Sequence, residues 1–417
     1  MQKLKTLLRN LGPGLLFASM AIGTSHLVLS TKAGATYGWI MILPIILANL
    51  LKYPFFEYGI RYTNVTGRSL IEGYARRGKA YMWIYAGITL VTTFTILAAL
   101  YIVTAGLLAN LFEITEISIT WIALGLFLFI SLALIVGRYS LLETTLKIVI
   151  SILFVALLVT TVMVLYKPAV TANPDFVRPP LLDSVGVLFL ISLIGWMPTA
   201  VEASSWISLW SLEKYKMLGK KPSLKEALQE FNSGYITTAL LAVFFLVIGV
   251  RTLYGTGTEL SGQAVTFADQ VVQLFTTHIG DWAYIFIAVS AFATMFSTCM
   301  TAHDAIARVS IDVVEYLRPD KKRYTQKWHY ALVVILLTLV NFLVLTAFSA
   351  NMGQLVALAT FISFVLAPVV GYMNLKNVTS EDLPAETHPK RWLRALTYAG
   401  IAFLTFFAAY YCWVLLA

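Results

Sequence analysis

Eleven predominantly apolar stretches, at 11–36, 38–60, 82–112, 117–137, 141–166, 184–211, 233–253, 282–307, 329–348, 351–375 and 394–416, take up most of the chain. Roughly 20 apolar residues let a helix cross a bilayer. Lipid offers no partner to an unpaired backbone group, so runs of this length must be helical. The expected class is an all-α polytopic membrane protein whose surroundings are the lipid bilayer. Only 12% of the residues are charged, well under the roughly 25% usual in soluble domains.

The net charge of +9 lies between the apolar runs, where Lys and Arg set topology. No nucleic-acid partner is expected. With the N-terminus in the cytoplasm, Arg61, Arg68, Arg76, Arg77 and Lys79 share one cytoplasmic loop. Lys214, Lys216, Lys220, Lys221 and Lys225 share a second, Arg318, Lys321, Lys322, Arg323 and Lys327 a third, and Lys390, Arg391 and Arg394 a fourth. The opposite loops keep little beyond Lys167, Arg178 and Arg251, beside Glu113, Glu116, Asp175 and Asp183. This bias predicts a multi-pass protein of the cell membrane with its N-terminus cytoplasmic and its C-terminus external. Met1 to Asn10 is short and basic, and the stretch after it is too long and too polar at its centre for a cleaved signal peptide. An uncleaved first helix is expected. Cys299 and Cys412 lie in separate runs without metal spacing, so neither a disulfide framework nor a zinc site is indicated.

Gly12 to Trp39 reads as one membrane-length run broken by Gly23-Thr24-Ser25-His26, and a second break, Gly195 to Thr199 with Pro198 inside it, interrupts span 6. Interrupted helices in corresponding positions of two halves point to a transporter's central site. Five spans precede the Pro-rich 167–183 linker and five follow it, and an odd number of spans reverses orientation. The expected fold is therefore a LeuT-type inverted repeat of 5+5 helices with helices 1 and 6 broken, plus an eleventh helix. The units are 1–166, the external linker 167–183, 184–376, and 377–417 for the last loop and helix 11. Leu224 to Phe231 is expected as a short cytoplasmic connector helix. No phosphate loop, nucleophile elbow or HExxH signature occurs, so neither an enzyme nor a cofactor is expected, and a monomer suffices.

Gly12-Pro13-Gly14, with Lys32-Ala33-Gly34-Ala35-Thr36-Tyr37-Gly38-Trp39, resembles the first helix of the Nramp family of proton-coupled divalent metal transporters. Arg61 to Leu70 after span 2 and the Met197-Pro198 pair in span 6 are similar to family elements too. The family's Asp-Pro-Gly-Asn metal signature falls on Gly23-Thr24-Ser25-His26, so the carboxylate is gone and the amide has become an imidazole. The resemblance implies a metal set of His26, Met197 and the Ile194 carbonyl. Thr199 stands where the family has a histidine, and Gln354 lies near its span 10 glutamine. Tyr81 to Phe112 carries no charged side chain where an acid is usual.

An ion at mid-membrane needs compensating charge, and imidazole with thioether suits softer first-row metals better than Mg²⁺ or Ca²⁺. Glu202, four residues after Pro198 and one turn into the outgoing half of span 6, is the ionisable group placed to help. It faces the site or pairs with a neighbouring span. His26 and Glu202 are the proton-transfer candidates. His26 has a plainer reading, in which it merely hydrogen-bonds the broken backbone.

Two functions are expected from Gly23, Thr24, Ser25, His26, Ile194, Met197, Thr199, Glu202 and Gln354. One is alternating-access transport of divalent transition metal ions, with proton coupling weakened or lost. The alternative is transport of a non-metal small solute, a zwitterion or organic anion, drawn to exposed amides and hydroxyls.

Overall fold

The computed structural model describes residues 13–137, 154–168, 170–171, 173–318, 327–348 and 351–416. Met1 to Asn10, Gly12, the pair Glu143 and Lys147, the first part of span 5, and Lys321, Lys322 and Arg323 lie outside them. Among the described residues every regular element is a helix. Eight are long and apolar enough to cross a membrane, and Phe154–Tyr166 and Ser184–Gly195 are shorter apolar helices.

Span 1 begins as α1, Pro13–Ala21. After Ile22 and Gly23 the chain resumes as a π-helical turn, Ser25–Ser30, and continues as α2, Thr31–Tyr37. The break is thus narrower than the sequence suggests, because Thr24, Ser25 and His26 are already helical. Gly38, at φ 76°, turns the chain into α3, Ile42–Thr66, which is span 2. A short amphipathic helix, α4, Leu70–Arg77, follows; Ser69 caps it by accepting from the Glu72 amide. Then come α5, Lys79–Leu111, α6, Ile119–Val136, and α7, Phe154–Tyr166.

The second half opens with α8, Ser184–Gly195, whose Asp183 cap accepts from the Gly186 amide. Seven residues from Trp196 to Glu202, including a cis Met197-Pro198 bond, separate it from α9, Ala203–Leu218. The connector expected at Leu224 to Phe231 is instead the first part of α10, Leu224–Leu253. The capping box of Ser223 and Glu226 starts that helix early, and apolar periodicity carries it on without a stop. The 254–281 loop holds α11, Ala264–Ile279. Spans 8 to 11 are α12, Tyr284–Leu317, α13, Lys327–Ala347, α14, Met352–Val378, and α15, Arg391–Leu416.

α5 packs against α12 and α14, α10 against α1 and α2, and α9 against α3. The two breaks therefore meet in the middle of the bundle. Asn374 of α14 clasps that middle, donating to the Phe55 carbonyl at 2.8 Å and the Ser204 hydroxyl at 2.9 Å.

Candidate functional site at the two helix breaks

Breaking span 6 exposes the last carbonyls of α8, which carry the negative end of its dipole. They are met by a residue the sequence reading passed over. Lys52, fully buried in α3, donates from Nζ to the carbonyls of Ile194 at 3.0 Å, Gly195 at 2.9 Å and Thr199 at 2.9 Å. An ammonium has three donors and no acceptor, so three carbonyls use it completely. Charge was the available signal, since Lys52 is an ionisable residue at the centre of an apolar span.

Glu202 closes the other side of the break. It occupies the N-cap position of α9, not the helical turn expected for it. Only 3% exposed, it accepts from the Ser363 hydroxyl of α14 at 3.0 Å, and its second oxygen has no hydrogen-bond partner. Its carboxylate interacts electrostatically with Lys52. Span 2 thus supplies a cation to the C-terminus of span 6's first half, and span 6 itself carries an anion at the N-terminus of its second, each matched to the dipole there. Ser363 also accepts from the Trp196 indole at 3.0 Å.

His26 is turned away from this pair. Its Nε2 donates to the Thr238 carbonyl of α10 at 2.9 Å, which leaves Nδ1 to accept from the Ser25 hydroxyl at 2.8 Å. Ser25 also lies 3.2 Å from the Pro198 carbonyl, linking the two breaks. Both ring nitrogens are used, so the histidine fastens the π turn to span 7. Met197 is fully buried, and the Ile194 carbonyl is held by Lys52 and by the Met197 amide at 3.2 Å. Gln354 does not reach the break. It sits exposed in the first turn of α14, nine residues and about 13 Å of helix before Ser363.

Gly23, Thr24, Ser25 and Thr199 do come together, around a cavity of about 30 Å³ closed by Trp196, Trp206 and Thr298. That is room for roughly two water molecules, at about 10–15 Å³ each. A wider cavity of about 650 Å³ opens at the end of the bundle that carries α4, with Glu72, Glu213, Arg308 and Tyr330 among its walls. Among the described residues no three His, Cys, Asp or Glu side chains gather as a metal-binding group. His303 and Asp304, adjacent in α12, reach different partners: His303 bonds Tyr101 at 2.9 Å and the Val334 carbonyl, while Asp304 pairs with Arg308 and Tyr330.

Residues 14–414 match the model of the natural resistance-associated macrophage protein-like, or Nramp, family. The chain belongs to the Nramp family. An uncharacterized protein of Pasteurella multocida is 31% identical over 401 residues, covering 95% of this chain and 90% of that one. Among solved structures, a mutant manganese transporter of Eremococcus coleocola is similar at a TM-score of 0.70 and 16% identity, with 97% of this chain and 86% of that one covered. Mhp1, a nucleobase-cation-symport-1 family transporter, is similar at 0.61 and 11%, covering 97% and 92%. These likenesses carry the fold, a LeuT-type arrangement with helices 1 and 6 broken. Nramp proteins are membrane transporters, so this chain is a multi-pass transporter of an ion or solute and not an enzyme.

Proposed function

We propose that this Nramp protein is an alternating-access secondary transporter of a small organic solute, a zwitterion or anion, and not of divalent metal ions. The observation that carries the reading is Lys52 Nζ on the Ile194, Gly195 and Thr199 carbonyls. The Eremococcus coleocola neighbours are named for manganese, and the family resemblance assigns the Ile194 carbonyl to such an ion. A divalent ion brought there would meet the ammonium at a few ångströms. Charges of +2 and +1 about 4 Å apart repel by about 8 kcal/mol at an effective dielectric of about 20. Glu202 offsets part of this repulsion, but the first-helix carboxylate that would balance the charge of the metal is absent. The two tryptophans and the Thr24 and Thr199 side chains line a cavity of about 30 Å³, which must widen during the cycle before an organic group with a polar end can enter.

Rocking of the repeat units 1–166 and 184–376 about the breaks would alternate access, with the 650 Å³ cavity as the inner approach. His26 is fully engaged and the carboxylate of the first-helix motif is absent, so the cycle proceeds without appreciable proton movement. The charge bias supports a cytoplasmic N-terminus and an external C-terminus; a C-terminal alkaline phosphatase fusion is expected to be active.

Uptake into proteoliposomes tests the cargo. Labelled amino acids and small carboxylic acids are offered alongside Mn²⁺, with a pH dye in the lumen. We expect uptake of one organic class, no Mn²⁺ entry above empty vesicles, and a steady dye signal. Mn²⁺ entry without any organic uptake would reject the reading.

A further inference from the structure

The two breaks satisfy their freed carbonyls unequally. At the break after α8 three carbonyls meet three ammonium protons. At the end of α1 the Gly23 amide turns back to Ala21 at 2.9 Å, and the His26 and Leu27 amides both go to Gly23 at 3.1 and 2.9 Å. Ser19 and Ile22 thereby lose the donors that a continuous helix would have aimed at their carbonyls. Both carbonyls face one group, the Thr298 hydroxyl of α12, at 3.3 and 3.4 Å. The same oxygen lies 3.1 Å from the Thr294 carbonyl. One proton serves three buried carbonyls, where buried carbonyls are as a rule fully paired. Beside them the Ser297 and Ser19 hydroxyls meet at 2.7 Å.

The cluster is made of neutral oxygens only, and every contributing residue is under 5% exposed. Mg²⁺ and Ca²⁺ call on carboxylates, whereas unwound carbonyls at a broken membrane helix suit a monovalent ion. The 3.3 and 3.4 Å spacings from the Thr298 oxygen to the Ser19 and Ile22 carbonyls match the edge, about 3.4 Å, of an octahedral oxygen shell with bonds of about 2.4 Å, the range a hard cation of this size keeps. We propose that Na⁺ binds here, held by the Ser19 and Ile22 carbonyls and the Thr298 and Ser297 hydroxyl oxygens, while the Thr298 proton stays on Thr294. The ion ties span 1 to α12. Gly23 and Thr298 also wall the central cavity, so ion and cargo share a boundary and occupancy of one organises the other.

The site does not depend on the identity of the cargo, and its test uses none. The purified full-length protein is melted at constant ionic strength while choline chloride is replaced by NaCl, and retention of radioactive sodium is measured in parallel. A saturable rise in melting temperature with Na⁺ is expected, as mass action requires of a ligand that binds only the folded state. Thr298→Val, which keeps the shape and removes the oxygen, is expected to abolish the rise and the retention. Should that variant fail to fold, Ser297→Ala carries the test, with the Na⁺ midpoint raised about tenfold, the loss of one ligand. Equal melting in the two salts, or a rise with the same midpoint in both variants, overturns the proposal.

Discussion

Lys52 and Glu202 are charges that the bilayer centre tolerates only because each is placed at the helix end its sign suits. Replacing Lys52 by Met preserves bulk but leaves the Gly195 and Thr199 carbonyls without the ammonium, the Ile194 carbonyl with the Met197 amide but no ammonium, and Glu202 without its counter-charge. At about 1–3 kcal/mol for each orphaned group, Lys52→Met is expected to destabilise the protein by at least about 2 kcal/mol, read by thermal or denaturant unfolding in detergent. Glu202→Gln added to it should cost less than the sum of the singles, since the two charges are coupled. An additive double variant would mean that they act independently. Arginine is no substitute at this position, because a planar guanidinium cannot aim at three converging carbonyls as an ammonium does. His26 shows why residue type alone misleads: the imidazole on a ligand position spends both nitrogens on span 7 and on Ser25.

Both halves of span 1 pack against α10, and α2 does so at very close range. The contact is made by two glycines. A Cβ on Gly34 would run into the Leu246 carbonyl, and one on Gly249 into the Thr31 carbonyl. Small residues on both faces let the backbones approach where lipid gives no hydrophobic drive for association. Gly34→Ala or Gly249→Ala is expected to push the helices apart at a cost of about 1–3 kcal/mol, seen as a lower melting temperature. Both substitutions address one contact, so together they should cost less than twice either. Strict additivity would argue that the crossing is looser than it looks.

Across the whole molecule, the loop between α14 and α15 is tied to α4 by one carboxylate. Asp382 bonds Arg76 at 2.7 Å, pairs with Arg77, and lies 3.7 Å from Arg68. Burial pushes its pKa up, but Arg76 and Arg77 outweigh that and hold it below the ordinary 3.8. With the folded value depressed, the contribution of Asp382 to stability is complete above 3.8 and is lost as pH falls through the lower folded value. Asp382→Asn should free the loop at neutral pH. Limited trypsin digestion after Arg76 and Arg77 is expected to quicken in the variant, and an unchanged rate would show that the clamp is ornamental. Much of this architecture was legible in sequence. Membrane-length apolar runs, two breaks and a charge bias dictate spans and inverted halves, because a backbone in lipid has few ways to pair its own groups. The region after span 6 differs from its sequence pattern because the Ser223 cap and the apolar periodicity merge two expected pieces into α10. Glu202 and His26 announced themselves as polar residues at a break, and Lys52 was equally visible as a charge. What no one-dimensional reading contains is the partner: the Ile194 carbonyl lies 142 positions from Lys52, and the Ser19 carbonyl 279 from Thr298. Apolar period and charge act along the chain and fix where helices lie, so the sequence alone determined a broken-helix membrane transporter. Which backbone carbonyls a buried ammonium or hydroxyl meets depends on how those helices cross, and only the tertiary structure decided that.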